Sequence, residues 1–489
     1  MRAHDVPRVL PWLVSLAALA APNLTSCNEE KDDPSVWSDS AASSGSGGAG
    51  GAGGGGFDVM TGSWSDVPEP ACSPAPPIDA DLPGPVPDGV TADFALPTGA
   101  VHLAVGPDGD AVVASVRWDE IIVRRYVGGQ WADLERIAAS DTLESPSAVA
   151  AGSNGRVIVV YAEDSYGLYK ICARTFDPGA GWSDPELLGV SDPGWWQDPV
   201  QPEAAAAMNG KGNAVVIWSG RPEGTSGIFA RRFAPGSGFR DVETLTEAFG
   251  RRAALALHED DRAVVAWHNA KTSAVESRAF DPAAGWGAAE ELDQNADYPR
   301  LSVGLEGSTV ALWVRSNLGV DAVETAARPP TGAWSQPAQL DSGDAEDFVK
   351  PGVAATSGFG IGGWSWWSTD IGCYSEANVR ILGADGIWQP ESPVPELNKG
   401  PAAILSLSAN SAGRAVVAWQ RYEPSPCHGE GLHLSWFDAA TGAWTYEALD
   451  PSATNGSLKV ALSPGGRALV GWGGSKATLV RWADPPSPP

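Results

Sequence analysis

Residues 176–188 read FDPGAGWSDPELL and residues 280–292 read FDPAAGWGAAEEL, and the phrase returns in weaker form along most of the chain. Its aromatic falls at Trp131, Trp182, Phe239, Trp286, Trp334, Trp388 and Trp444, at intervals of 51, 57, 47, 48, 54 and 56 residues. A second marker runs in step with it, an apolar stretch closed by an aromatic. Its copies are VIVVY at 157–161, AVVIW at 214–218, AVVAW at 263–267, TVALW at 309–313, GIGGW at 360–364, AVVAW at 415–419 and ALVGW at 468–472, with AVVAS at 111–115 the weakest. A chain written this way folds as a series of similar units, each of which buries its apolar surface against the next.

Within a unit the pattern predicts four short strands. The first is small and apolar, as in AVAAG at 148–152, and ends in a turn such as Ser153-Asn154-Gly155 or Gly106-Pro107-Asp108-Gly109. The second is the apolar marker, hydrophobic on both faces and therefore buried on both. A polar loop of variable length leads to an alternating third strand, as in IFARRF at 228–233. The opening phrase is the reversal into a short fourth strand, and no stretch carries a helical apolar period. Units of about 50 residues with four strands and Gly/Trp punctuation predict an all-β chain folded as a β-propeller. The count is eight four-stranded blades, with seven the alternative.

The phrase resembles the Asp-box of sialidase-type propellers, which occupies the same turn, although the Ser-x-Asp-x-Gly-x-Thr-Trp wording is only loosely met. The resemblance covers residues 90–489 at the level of architecture. It implies a propeller with ligand sites on the face opposite the turn phrases. The last repeat stops at Trp482-Ala483-Asp484 without a fourth strand, whereas TADFAL at 91–96 precedes the first repeat unclaimed. Pairing the two closes the ring and covers two open sheet edges.

The N-terminus reads as an address. Arg2 and Arg8 give a basic start, the apolar run 9–21 is too short to span a bilayer, and Leu24-Thr25-Ser26-Cys27 resembles the lipobox of bacterial lipoproteins. That resemblance implies removal of residues 1–26, lipidation of Cys27 and a place in the bacterial cell envelope, with membrane contact through the lipid alone. Residues 27–89, which include SDSAASSGSGGAGGAGGGG at 38–56 and a proline-rich stretch at 68–89, predict a flexible tether. The propeller is expected over 90–489, as a monomer. Sixty acidic against 32 basic residues give a net charge of −28, which repels phosphate backbones and excludes nucleic acid as a partner.

Chemistry is sparser. Of 22 tryptophans, six close second strands and six sit in turn phrases, which makes those twelve architectural. Trp195-Trp196 and Trp366-Trp367 are left as paired aromatics in loops opposite the turn phrases, where flat rings suit sugar or protein ligands. Arg252, Arg300 and Lys350 stand near the starts of first strands, with Glu203, and are candidates to ring the channel mouth. A sialidase-like glycan-cleaving enzyme would place an arginine cluster there, but its Phe-Arg-Ile-Pro signature is missing. His258-Glu259-Asp260-Asp261 lacks the second His of H-E-x-x-H, and G-x-S-x-G does not occur. The Gly48–Gly53 match to G-x-G-x-x-G has no strand before it. His102, His268, His428 and His433 share no spacing and read as packing or surface residues. No catalytic or metal constellation and no cofactor emerges. Calcium is the one ion whose chemistry fits, at Asp341, Asp344, Glu346 and Asp347. Cys373 and Cys427 occupy equivalent loops of consecutive units and are expected to form a disulfide, with Cys172 a buried free thiol and Cys72 without a partner. The reading is a non-catalytic binding or scaffolding propeller with a glycan or protein ligand, the alternative being the glycan-cleaving enzyme.

Overall fold

The computed structural model describes residues 71–73, 86, 92–96 and 100–486, apart from 118–119, 140–142, 165–168, 192–203, 221–225, 318–319, 345–350, 369–372, 424–428, 451–457 and 474–476. These residues form eight antiparallel sheets, the eight blades of a β-propeller. Blade 1 spans 101–139, blade 2 143–191, blade 3 204–246, blade 4 250–294, blade 5 296–344, blade 6 352–392, blade 7 402–450 and blade 8 458–483. The first strand of each blade neighbours the first strands of the blades before and after it, including blade 8 against blade 1, so the ring is closed.

Closure is made by Phe94–Leu96, which pairs antiparallel with Thr478–Ala483 in the register Phe94 to Val480 and Leu96 to Thr478. Blade 6 departs from the four-strand expectation. After Cys373–Leu382 its outer edge is held by a bridge between Leu382 and Trp388 and by the N–H groups of Gln389 and Ser392, which donate to Ile381 and Val379. Pro390 and Pro393 carry no N–H, so a continuous ladder cannot form there.

The core is eight apolar clusters, one at each contact between consecutive blades. Second strands feed both of their neighbours. In blade 3, Val216 and Trp218 face blade 2, whereas Val215 and Ile217 face blade 4. Every closing aromatic of the second marker turns toward the preceding blade, and Trp267, Trp313, Trp364, Trp419 and Trp472 are fully buried. At the contact between blades 8 and 1 the same position is Ser115, and Phe94 and Leu96 of the closing strand fill the cluster. That explains why AVVAS is the poorest copy of the marker.

The indole N–H groups need acceptors once buried. Trp313 donates to Asp293 at 2.9 Å, Trp364 to Asp341 at 2.7 Å and Trp472 to Asp450 at 3.2 Å, in each case on the fourth strand of the preceding blade. The equivalent of these aspartates in blade 2 is Gly189, where a Cβ would stand 2.7 Å from the Trp218 ring. There the ring takes the space that the carboxylate fills elsewhere. The turn phrases lock the outside. Trp286 donates to Glu243 and Trp334 to Ser277 of the preceding blades, and Trp131 to Asp93 beside the closing strand.

The cysteine pairing differs from expectation. Cys172 is bonded to Cys72, with Cα atoms 6.1 Å apart. The expected tether is therefore fastened to blade 2, where Ser73 donates through its backbone N–H and its hydroxyl to Glu163, and Lys170 donates to the carbonyl of Ala71. Glu163 is buried, and this strap supplies hydrogen-bond donors to its carboxylate. Neither cysteine offered a spacing signal, because the pair is set by how the chain crosses to blade 2. Cys373 opens the third strand of blade 6, opposite Ser368, and Cys427 lies outside the described residues.

Asp341 supplies a test of the blade locks. Its one oxygen Oδ2 accepts from Trp364, Trp366 and Asn378. Asp341→Ala strands three donors between blades 5 and 6 and is expected to lower unfolding free energy by about 3 kcal/mol or more, measured by urea denaturation. Wild-type stability in that variant would remove the lock.

Candidate functional site

First strands line the channel, and their starts form its mouth on the face opposite the turn phrases. In blades 4 and 5 these starts are irregular. The register slips between Arg251 and Ala254 in Gly250–Leu257, and between Asp297 and Arg300 in Ala296–Val303. Two residues on each first strand therefore oppose one on the second, which is a β-bulge, a device that re-aims side chains. Arg252 and Tyr298 sit in these bulges at φ 55° and 54°, the left-handed region that non-glycine residues rarely adopt. Such backbone costs on the order of 1–3 kcal/mol per residue.

The bulges bring the two residues together. The Arg252 guanidinium lies 3.8 Å over the centre of the Tyr298 ring and pairs with Asp297. The other oxygen of Asp297 accepts the Tyr298 N–H at 2.7 Å and lies 3.4 Å from Nδ1 of His268. His268 Nδ1 is 2.8 Å from the carbonyl of Ala296, which can only accept, so that nitrogen carries the proton. Arg300 reaches the carbonyl of Pro299 at 3.1 Å. Phe249, next to the first strand of blade 4, is 49% exposed, and its carbonyl accepts the N–H of Ala270. The mouth of blades 4 and 5 thus presents the exposed Phe249 ring beside a partly buried Arg252 guanidinium that is held between Tyr298 and Asp297.

Of the residues singled out in the sequence, Arg252 and Arg300 fall at this mouth. Tyr298, Asp297, His268 and Phe249 were missed. The signal available was the break in alternation at GRRAA and ADYPR, in the second of which a proline inside a strand marks a bulge. Trp366 and Trp367 are not in a loop. Both belong to the second strand of blade 6, Gly360–Ser368, and Trp366 is buried, packing on Gly343 and donating to Asp341. The extra aromatic serves the contact with blade 5. Asp341 is equally unavailable to calcium, with one oxygen taken by three side-chain donors and the other by the N–H of Ser342, and Asp344 closes the same strand. Among the described residues no three His, Cys, Asp or Glu gather as metal ligands. Cys27, Trp195, Trp196, Glu203, Glu346, Asp347 and Lys350 lie outside the described residues.

His102, on the first strand of blade 1, has its pKa lowered to about 4, by burial first and then by the Lys459 ammonium of blade 8. A folded-state value below the unfolded value of about 6.5 means that the unfolded chain binds the proton more readily. Its contribution is fully present above pH 6.5 and is lost as pH falls toward 4, by about 3 kcal/mol in all. His102→Gln is expected to flatten the stability profile across that window, read as melting temperature against pH. Parallel profiles for variant and wild type would contradict the assignment.

No family model matches the chain, and no curated protein sequence matches it. Similar solved structures include an ulvan lyase of a new polysaccharide lyase family, at 9% identity and TM-score 0.46, covering 68% of this chain and 90% of that one. A Hadza microbial sialidase shows 11% identity and TM-score 0.35, with 76% and 74% covered. The fungal lectin of Aleuria aurantia, a six-bladed β-propeller, shows 12% identity and TM-score 0.35, with 63% and 96% covered. Likeness at this level extends to the fold alone.

Proposed function

We propose that the protein is an exported, membrane-tethered, monomeric propeller that binds a glycan without transforming it, at the mouth of blades 4 and 5. The observation that carries the reading is the pair of left-handed bulges that bring the Arg252 guanidinium over the Tyr298 ring. Strained backbone at non-glycine residues persists where surrounding structure holds it, and such residues cluster at ligand sites. A ring face packs on sugar C–H groups, while guanidinium N–H groups donate to hydroxyl or carboxylate oxygens. Arg252 is already balanced by Asp297, which suits recognition better than the stabilisation of a charge that develops during a reaction.

Export is supported by the Cys72–Cys172 disulfide, a bond that persists in oxidising compartments. The basic start, short apolar run and Cys27 box agree with it and supply the anchor. Residues between Cys27 and the Cys72 strap then act as the tether.

A glycan array probed with the soluble propeller tests the site. Wild type is expected to bind a defined glycan class, and Arg252→Gly, which keeps a residue at ease with positive φ, is expected to lose at least about tenfold in affinity while folding normally. Unchanged binding by that variant would move the site elsewhere. Release of new reducing ends or unsaturated sugars from the bound glycan would replace the binding reading with the cleaving enzyme. For the anchor, Cys27→Ala is expected to shift the full chain from the detergent phase to the aqueous phase or to block its maturation. Unaltered partitioning would remove the lipid.

A further inference from the structure

Three clefts open between consecutive blades on the turn-phrase side, away from the channel mouth. They lie between blades 2 and 3, 3 and 4, and 4 and 5, with volumes of about 370, 160 and 260 Å³. All three are built from the same repeat positions. One wall is the start of the second strand and the end of the third in the earlier blade: Arg156 with Asp177, Asn213 with Ala234, and Arg262 with Asp281. The facing wall is the first residue of the turn phrase in the next blade and the proline two positions on. These are Phe233 and Pro235, Phe280 and Pro282, and Arg328 and Pro330. Phe233 and Phe280 each line two successive clefts, so the repeated phrase partitions a repeated cavity.

The polar groups share a pattern as well. Arg156 pairs with Asp177 at 3.0 Å in the first cleft. Arg232 and Asp261 line the second, where Asp261 accepts from Asn213 at 2.8 Å. Arg328 pairs with Glu290 at 2.8 Å in the third. The first and third clefts therefore offer donors and acceptors side by side with their charges balanced, and in the second Arg232 is paired with Glu243 and Asp261 with Lys211, beside Arg240 and an apolar wall. That combination does not attract an ion. It matches neighbouring hydroxyls, one accepting from a guanidinium and the next donating to a carboxylate, while C–H groups pack on the wall.

We infer that these three clefts are a second set of binding sites, each taking a neutral sugar unit, and that together they grip a repeating polysaccharide on the face opposite the channel mouth. Linked sites gain from one another when a single polymer spans them, so weak binding at each cleft becomes strong binding to the chain. Two of the facing walls carry the Phe-x-Pro wording of the phrase, and the third reads Arg328-Pro329-Pro330.

The test uses the whole propeller and keeps the mouth separate from the clefts. Exposed Ala180 and Ala284, at equivalent turn positions, line the first and third clefts and touch neither the core nor the mouth. Saturation-transfer NMR with methyl glycosides of glucose, galactose, mannose and fucose is expected to show contact with at least one of them. Ala180→Trp and Ala284→Trp should each weaken that signal, and together they should lower affinity for a polymer of the same sugar by about tenfold or more, while both variants keep wild-type binding of the array glycan assigned to the mouth. Absence of transfer from all four glycosides, or transfer indifferent to the tryptophans, overturns the inference. Transfer abolished by Arg252→Gly instead assigns the sugar to the mouth and also overturns it. A crystal soaked with the responding glycoside gives an answer independent of the variants: density in the cleft between blades 2 and 3 supports the sites, and an empty cleft there overturns them.

Discussion

Everything in this fold rests on the aromatic that closes each second strand and buries its ring against the preceding blade. A single four-stranded sheet of this chain has apolar residues on both faces and cannot stand alone. Stacking it on a neighbour covers one face, and only a closed ring covers both faces of every sheet. The ring then needs an acceptor for each buried indole, supplied by aspartates on fourth strands at three contacts and by Glu276 and Ser435 of the same blade at two others. The eighth contact, where the ends of the chain meet, dispenses with the aromatic and uses Phe94 and Leu96 instead.

The inner edges follow the same logic. A first strand has no partner on its channel side, so its N–H groups need other acceptors. Hydroxyls of Ser302, Ser406 and Ser408 accept from Ala355, Val460 and Leu462 of the next blades. On the outside, Arg174, Arg231 and Arg278 of third strands donate to carbonyls of Ile137, Leu187 and Leu245 in the blades before them. With inner and outer rims fastened in this way, the scaffold is stiff enough to hold Arg252 and Tyr298 in conformations that they would not adopt alone.

The architecture was legible because it is periodic. Two markers in step carry the strand order, the blade count and the role of the N-terminal strand. The departures are local and have local causes. Pro390 and Pro393 dissolve the fourth strand of blade 6, which periodicity alone does not foresee. Trp366 reads as a loop residue because the marker ends at Trp364, whereas the strand runs on to Ser368. The Cys72–Cys172 bond joins positions 100 residues apart and left no trace in spacing. At the mouth, the arginines were visible as charges, but their partners Asp297, Tyr298 and His268 are assembled by bulges, and a bulge is a property of two paired strands.

Hydrogen exchange with and without the glycan that the soluble propeller binds addresses the central claim directly, since it reads the backbone on which the mouth is built. The account predicts slowed exchange at the two bulged segments, residues 249–254 and 296–301, on the face of the channel mouth. Protection that spares these two segments while appearing on other blades of that face would contradict it.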